Sequence, residues 1–432
     1  MRKMKDSGIE WIGEIPEEWE TVPLKSQFNF GKGLPITKEN LIEKGIPVIS
    51  YGQIHSKSND GVHITDDLIR FVDEQYIQSN PLSLVNKFSF IFADTSEDLE
   101  GCGNCVYFDS DYQLFAGYHT IILQSQNNKS NKYLAYLFKS DAWRKQIREQ
   151  VSGVKLFSIS QKILKSVSVI IPPISEQQKI AAFLDRKCSE IDSVIEKTKS
   201  TIEEYKKLKQ AIITQAVTKG IRKGRKMKDS GVEWIGEIPD NWIMKRGKAI
   251  FIETNNRSIN GTEELLTVSQ YTGITPRSQK NVNMFEAETL EGYKICNVGD
   301  IAANTMWLWA GAIGVSSYFG VISPSYNLYR QKMKTYDDSF LDRLLRIKPL
   351  VNHYESLSTG IRASRLRLYP EQFLNIYFPV PPFEEQQEIA AYLDEKCSAI
   401  DTLIAKKEQL LTELESYKKS VIYEYVTGKK EV

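Results

Sequence analysis

The chain has 432 residues, 56 Lys+Arg against 55 Asp+Glu, and a formal net charge of +1. That balance neither demands nor excludes nucleic acid, and the length predicts roughly two to four domains, each with its own core. No window approaches the ~18 uninterrupted apolar residues of a membrane span, and Lys, Asp and Glu break up the apolar residues after Met1, so neither a span nor a signal peptide is expected. Five cysteines, an odd number, argue for a reducing cytoplasm rather than a disulfide framework.

The first recognisable element is a phrase, MKDSGIEWIGEIPEEW, from Met4 to Trp19. It returns as MKDSGVEWIGEIPDNW from Met227, identical at 13 of 16 positions and offset by 223. It holds no paired carboxylate site, Cys, His or phosphate-cradling glycine loop. The following segment, 20–170, reads as mixed α/β: GIPVISYGQI and FSFIFADT are strand-like, and NKYLAYLFKSDAWRKQIREQ is helical. IPPISEQQKIAAFLDRKCSEID (Ile171 to Asp192) then answers VPPFEEQQEIAAYLDEKCSAID (Val380 to Asp401), identical at 15 of 22 positions with an offset of 209.

Each Pro-Pro predicts a helix start, with Ser175 as N-cap, Gln178 three residues on, and Glu176 favourable to the macrodipole. Apolar positions then alternate in steps of four and three from Leu184 through Cys188, Ile191, Ile195, Thr198 and Ile202 to Ala216, and recur 209 residues later. Polar interruptions fall at matching places, Lys209 and Lys418 among them. This heptad seam predicts a helix over about 176–217, roughly 60 Å long at about 1.5 Å per residue. Its obvious partner is its own duplicate, run antiparallel about a pseudo-two-fold axis; dimerisation through the same seam is the alternative.

KGIRKGRK (Lys219 to Lys226) reads as a flexible basic connector. The second variable segment, 243–379, answers the first with strand-like ELLTVSQYTGI and GDIAANTMWLWAGAIGVSSYF, then helical DSFLDRLLRIKPLVNHYESL. It carries 16 Lys+Arg against 12 Asp+Glu, whereas 20–170 is close to balanced. The boundaries are 1–170, a first module with its phrase; 171–226, helix and connector; 227–379, a second module with its phrase; and 380–432, the second helix. The expected fold class is α/β: two mixed α/β modules separated by two long antiparallel coiled-coil helices, from an internal duplication. Two inverted modules suit two separated half-sites on a duplex.

The motif SG-x-EWIGEIP-xx-W, the segment PP-xx-EQQ-x-IA-x-xLD and the long helix after it, each in two copies and in this order along the whole chain, resemble the specificity subunit of type I restriction-modification systems. The resemblance implies that each variable segment is a target recognition domain reading one half of a bipartite double-stranded DNA site. It implies that the constant segments space these domains and dock two modification subunits, which bind S-adenosylmethionine and methylate adenine. A separate restriction and motor subunit completes the complex.

The chain itself shows no Asn-Pro-Pro-Tyr or Asp-Pro-Pro-Tyr run, no G-x-x-x-x-G-K-[ST] loop and no H-E-x-x-H. It is therefore expected to be non-catalytic, with no cofactor or metal of its own. CGNC, Cys102 to Cys105, lacks the second ligand pair of a structural zinc site and reads as a loop beside a strand. Reading DNA takes Lys and Arg for phosphates, with amides and guanidinium groups for base edges. The candidates are Lys32, Tyr51, Gln53, His55, Lys57, Thr95 and Lys155 in the first module. In the second they are Gln270, Tyr271, Arg277, Asn304, Trp307, Arg362 and Arg365. Tyr51, Tyr271 and Trp307 also suit partly buried core positions, and any single Lys suits a solvated surface. A coiled-coil adaptor that binds no DNA would explain the helices but has no use for two divergent modules.

Overall fold

The computed structural model describes residues 2–126, 129–153, 155–280, 289–360 and 366–432. The chain divides into two compact units: Met1–Thr198 with Gln409–Val432, and Lys199–Glu408. Each unit therefore contains one phrase, one variable segment, the start of one long helix and the end of the other.

In the first unit the core sheet comprises β1 (Phe28–Lys32), β2 (Ser89–Ala93), β3 (Cys105–Phe108) and β4 (Thr120–Ser125), in the order β1-β4-β2-β3, all antiparallel. The long helix α1 spans Ile174–Lys219. The second unit repeats the sheet with β5 (Phe251–Thr254), β6 (Ile301–Ala303), β7 (Ile313–Val315) and β8 (Asn327–Gln331), in the order β5-β8-β6-β7 and again antiparallel. The helix α2 spans Phe383–Val426. Segments with little identity thus share one sheet topology. The inner strands are buried almost along their whole length, and an apolar run of that kind specifies a strand without specifying which apolar residue supplies it.

The helical stretches differ from the sequence expectation by one break each. Residues 131–150 form two helices, Lys132–Lys139 and Asp141–Arg148, because Ser140 accepts from the Trp143 amide and caps the second. Residues 338–357 split into Asp338–Leu345 and Lys348–Leu357, with Pro349 in the first turn of the latter.

Both ends of each variable segment are zipped together. Glu20–Pro23 pairs antiparallel with Ser168–Ile171, and Ile243–Arg246 pairs with Tyr377–Val380. Each module consequently leaves the scaffold and rejoins it through adjacent strands, a geometry in which the intervening fold can vary while its attachment stays fixed.

The long helices run antiparallel within each unit. In the first, Phe183 packs on Tyr425 with ring centroids 4.4 Å apart, and Lys418 Nζ binds the Asp192 carboxylate at 2.6 Å. In the second, Lys209 Nζ binds Asp401 at 2.6–2.7 Å, while Ala216 and Val217 share a core with Ile389 and Leu393. The matching polar interruptions of the seam are therefore cross-helix ion pairs, each Lys meeting the other helix's Asp. Leu184, Cys188, Ile191, Ile195, Thr198 and Ile202 are buried, as the seam predicts.

The helix start needs correcting. The carbonyl of Pro173 accepts from the amides of Glu176 and Gln177, so the cap falls at the proline and Ser175 lies inside the first turn. Proline leaves its own amide out of the first turn and fixes φ for entry. Glu176 also does more than face the helix dipole: Arg2 binds it from the chain start, and the Trp19 indole N–H donates to it at 3.0 Å.

This joint is built twice. Arg225 binds Glu385, and Trp242, the repeat of Trp19, is buried in the same joint, with its indole N–H unpaired among the described residues where that of Trp19 donates to the carboxylate. The phrase hairpins have matching registers, Met4↔Pro16 in one and Met227↔Pro239 in the other, and Trp19 and Trp242 are fully buried. Each phrase also wraps the end of the opposite long helix. A Cβ on Gly428 would lie 2.4 Å from Pro16, and one on Gly220 would lie 3.4 Å from Trp242. Both glycines have positive φ, +68° and +73°, as helix-terminating residues do. Arg222 binds Glu388 at 2.8 Å beside the Arg225–Glu385 pair, so the basic connector meets α2 at two points.

Candidate nucleic-acid interface

In the first module the strand Ile46–Ile49 passes into a single helical turn, Tyr51–Ile54. Gln53 Oε1 accepts the Ser50 amide at 3.2 Å, so half of its side chain holds that turn. Tyr51 is half-buried, and its ring meets His55, Tyr118 and His119 edge-on at 6.4, 5.6 and 5.3 Å.

Both nitrogens of His55 are engaged inside the module. Arg144 donates to Asn104 Oδ1 at 2.6 Å, which turns the Asn104 amide toward His55 Nδ1 at 3.1 Å. His55 Nε2 is then the donor to the Thr95 carbonyl, at 2.8 Å. The short strand Thr95–Ser96 pairs with Phe157–Ser158, which brings exposed Lys155 to the same edge. Tyr51, His55, Thr95 and the segment holding Lys155 are thus brought together. Lys32, at the end of β1, and Lys57, after the helical turn, are exposed.

In the second module Gln270 and Tyr271 form the tip of the hairpin Leu266–Ser269 and Gly273–Pro276; Tyr271 is 82% exposed. Arg346 supports that tip by donating to the Tyr271 carbonyl at 2.7 Å. The half-buried Arg277 follows the hairpin directly. Asn304 is buried and accepts the Met306 amide at 3.2 Å, so it shapes the turn after β6. From the same loop Trp307, 50% exposed, stacks on Trp309 at 5.8 Å. Arg362 and Arg365 lie outside the described residues.

Each module is also anchored to a constant aspartate of a long helix, in its own way. Asp185 of α1 binds Lys132 at 2.8 Å and Tyr136 at 2.7 Å, with His63 Nε2 at 3.6 Å. His63 additionally binds Asp60 at 2.8 Å. Asp185 and Asp60 raise the His63 imidazole to about 9. Burial acts to raise the Asp185 carboxyl, but His63, Lys132 and Tyr136 overcome it and hold it at about 2. Asp394, the repeat of Asp185, is bound by Arg343 instead.

Cys102 and Cys105 are both buried, and burial raises each thiol. Among the described residues no group of three His, Cys, Asp or Glu could hold a metal ion, and no helix is long and apolar enough to cross a membrane.

Sequence reasoning missed Arg2 and Arg225, although the signal was available: the repeat extends two residues upstream as Arg-Lys in both copies. It also missed Asp94, Tyr118 and His119, which strand pairing brings together and no local pattern announces.

The family model for the type I restriction modification DNA specificity domain matches residues 16–210 and 239–415, one match per repeat. The type I restriction enzyme MjaVIII specificity subunit of Methanocaldococcus jannaschii is 26% identical over 326 residues, covering 72% of this chain and 73% of the relative. A solved chain described in a study of complex assembly and conformational transition of the type I R-M system superposes with a TM-score of 0.69. It has 15% identity and covers 96% of this chain and 99% of its own. The HsdS subunit from Thermoanaerobacter tengcongensis gives 0.55 at 16% identity, covering 96% and 98%.

Proposed function

The chain belongs to the type I restriction modification DNA specificity family, and on that premise we propose that it is the sequence-specific DNA-recognition subunit of a type I restriction-modification complex. Each variable module reads one half of a bipartite site in double-stranded DNA. The constant helices and phrases space the modules and dock two modification subunits. Those subunits bind S-adenosylmethionine and methylate adenine, and restriction and motor subunits join the full cytoplasmic complex. The chain is the non-catalytic, cofactor-free component.

One observation carries the reading: two modules with the same sheet order are held by duplicated joints, yet expose different groups at their loops. Two readers of two different sequences on one scaffold require that combination. A protein-only adaptor would use the joints and the seam but gives no reason for the divergent, aromatic-bearing loops.

The test is mobility of duplex DNA with the chain, with and without its modification subunits, alongside transfer of labelled methyl groups. The complex should retard duplexes carrying one bipartite sequence and methylate adenine within it, whereas the chain alone should transfer no methyl groups. Methylation by the chain alone, or a complex indifferent to sequence, would overturn the proposal.

A further inference from the structure

His119 adopts a left-handed backbone, φ +55°, at the head of β4. A side chain with a Cβ is strained there, and glycine or asparagine would fit more cheaply. Core packing does not account for the histidine, because its side chain is 59% exposed. Instead the ring is fixed from several sides. Its Nδ1 binds Asp94 Oδ1 at 3.2 Å, and the Thr95 hydroxyl orients that carboxylate by donating to it at 2.6 Å. Tyr51 and Tyr118 meet the ring edge-on at 5.3 and 6.1 Å. The Asp94 amide donates to the His119 carbonyl at 3.1 Å, locking β2 to β4 at this point. Nε2 has no partner among the described residues. A strained, exposed, pre-oriented side chain with one polar atom left open is a recognition element rather than a structural one.

The equivalent corner of the second module carries different chemistry. Asn304 takes the place of Asp94 after the matching strand, is buried and turns back into its own loop. The chain enters β8 from Tyr326, and Thr305 donates to the Ser325 carbonyl. Trp307 and Trp309 stack on each other in the loop that follows Asn304. The same corner of one fold, dressed differently in two modules, is where two specificities would diverge.

We propose that His119, positioned by Asp94, determines the base preference of the first module, with the edges of Tyr51 and Tyr118 flanking the base it reads. The Asp94 contact assigns the ring proton to Nδ1. Nε2 is then an acceptor for the exocyclic amine of adenine or cytosine in the major groove. The inference rests on the DNA-reading function proposed above.

The test uses the full chain with its modification subunits and a pool of duplexes in which each position of both half-sites is varied singly. His119→Gly and His119→Asn both suit the left-handed backbone, so neither should lower the melting temperature. Each should lose about 10- to 100-fold of methylation preference at one position of the half-site read by the first module, with the other half unchanged. Unchanged preference at every position, equal loss in both halves, or unfolding of both variants would overturn the role of His119. A wild-type complex that prefers no duplex would instead defeat the DNA-reading function itself, and the two failures are told apart by the wild-type control.

Discussion

The two units agree where the chain is constant and part company where it is free. Arg2, Trp19 and Glu176 in one correspond to Arg225, Trp242 and Glu385 in the other, by offsets of 223 and 209. Beyond the zipped strands, the sheets keep their order but the loops share no side-chain plan. The first module presents an edge-on cluster of Tyr51, Tyr118 and His119, whereas the second presents an exposed hairpin tip at Tyr271 and a tryptophan stack. Even the anchors to the helices follow this rule, with a constant aspartate on the helix side and a variable partner on the module side. The difference teaches that the constant residues define an attachment, and that a module is acceptable if it closes its end strands and offers one cation to that aspartate.

The comparison is broken most severely at the buried tryptophans. Trp19→Ala and Trp242→Ala should each destabilise their own unit by about 3–5 kcal/mol, since both rings are fully buried at matching places in the two joints. Denaturant titration with one probe per unit measures this; a large cost in one and none in the other would show that the joints are not equivalent.

A smaller effect sharpens the comparison. Glu385 is 2% exposed and Glu176 is 21% exposed. Glu385→Gln should therefore cost more than Glu176→Gln, within the roughly 1.5–3 kcal/mol of hydrogen bonds to charged groups. Arg2 holds the Glu176 carboxyl below the usual carboxylate range. For Glu385 burial opposes, but Arg225 prevails and holds it low as well. Both groups contribute stability above their unfolded pKa, about 4.3, and that contribution is lost as the pH falls through their folded values. The two Gln variants should thus lose part of the acid sensitivity seen in the wild-type melting profile.

Much of this was legible beforehand. The phrase repeats located the joints, and the heptad steps located the helices to within a few residues, because identity and periodicity are local signals. The helix breaks at Ser140 and Pro349 were also written locally, as a cap and a proline, but were overridden by the apolar pattern around them. What could not be read were meetings made by strand register. Asp94 and His119 are 25 residues apart and come together only because β2 pairs with β4. Likewise His55 offers a candidate imidazole in sequence, yet the network from Arg144 spends both of its nitrogens.

The smallest effect separates the two anchors by pH. His63 is raised to about 9 in the folded chain, against about 6.5 unfolded. Its contribution is complete below about 6.5 and is lost as the pH rises through about 9. The exposure of His63 and the neighbouring Lys132 keep the loss small. The cation that meets the matching aspartate in the other unit is a guanidinium, Arg343, rather than an imidazole. Melting of the first unit should therefore weaken modestly between pH 6.5 and 9, and His63→Gln should abolish that slope while leaving the second unit unaffected. A slope of the same size in the second unit would remove the contrast.

The central claim is that duplicated joints carry two independent readers, and exchange of one module tests it most directly. The residues between Arg246 and Tyr377 would be replaced by the corresponding segment of a relative, keeping both zipped strands, and methylated adenines would be mapped across the genome with the modification subunits present. The account predicts a new sequence in one half of the recognition site, with the other half and the spacing between them unchanged. Altered bases in both halves would contradict it and would mean that the modules read DNA as one composite surface.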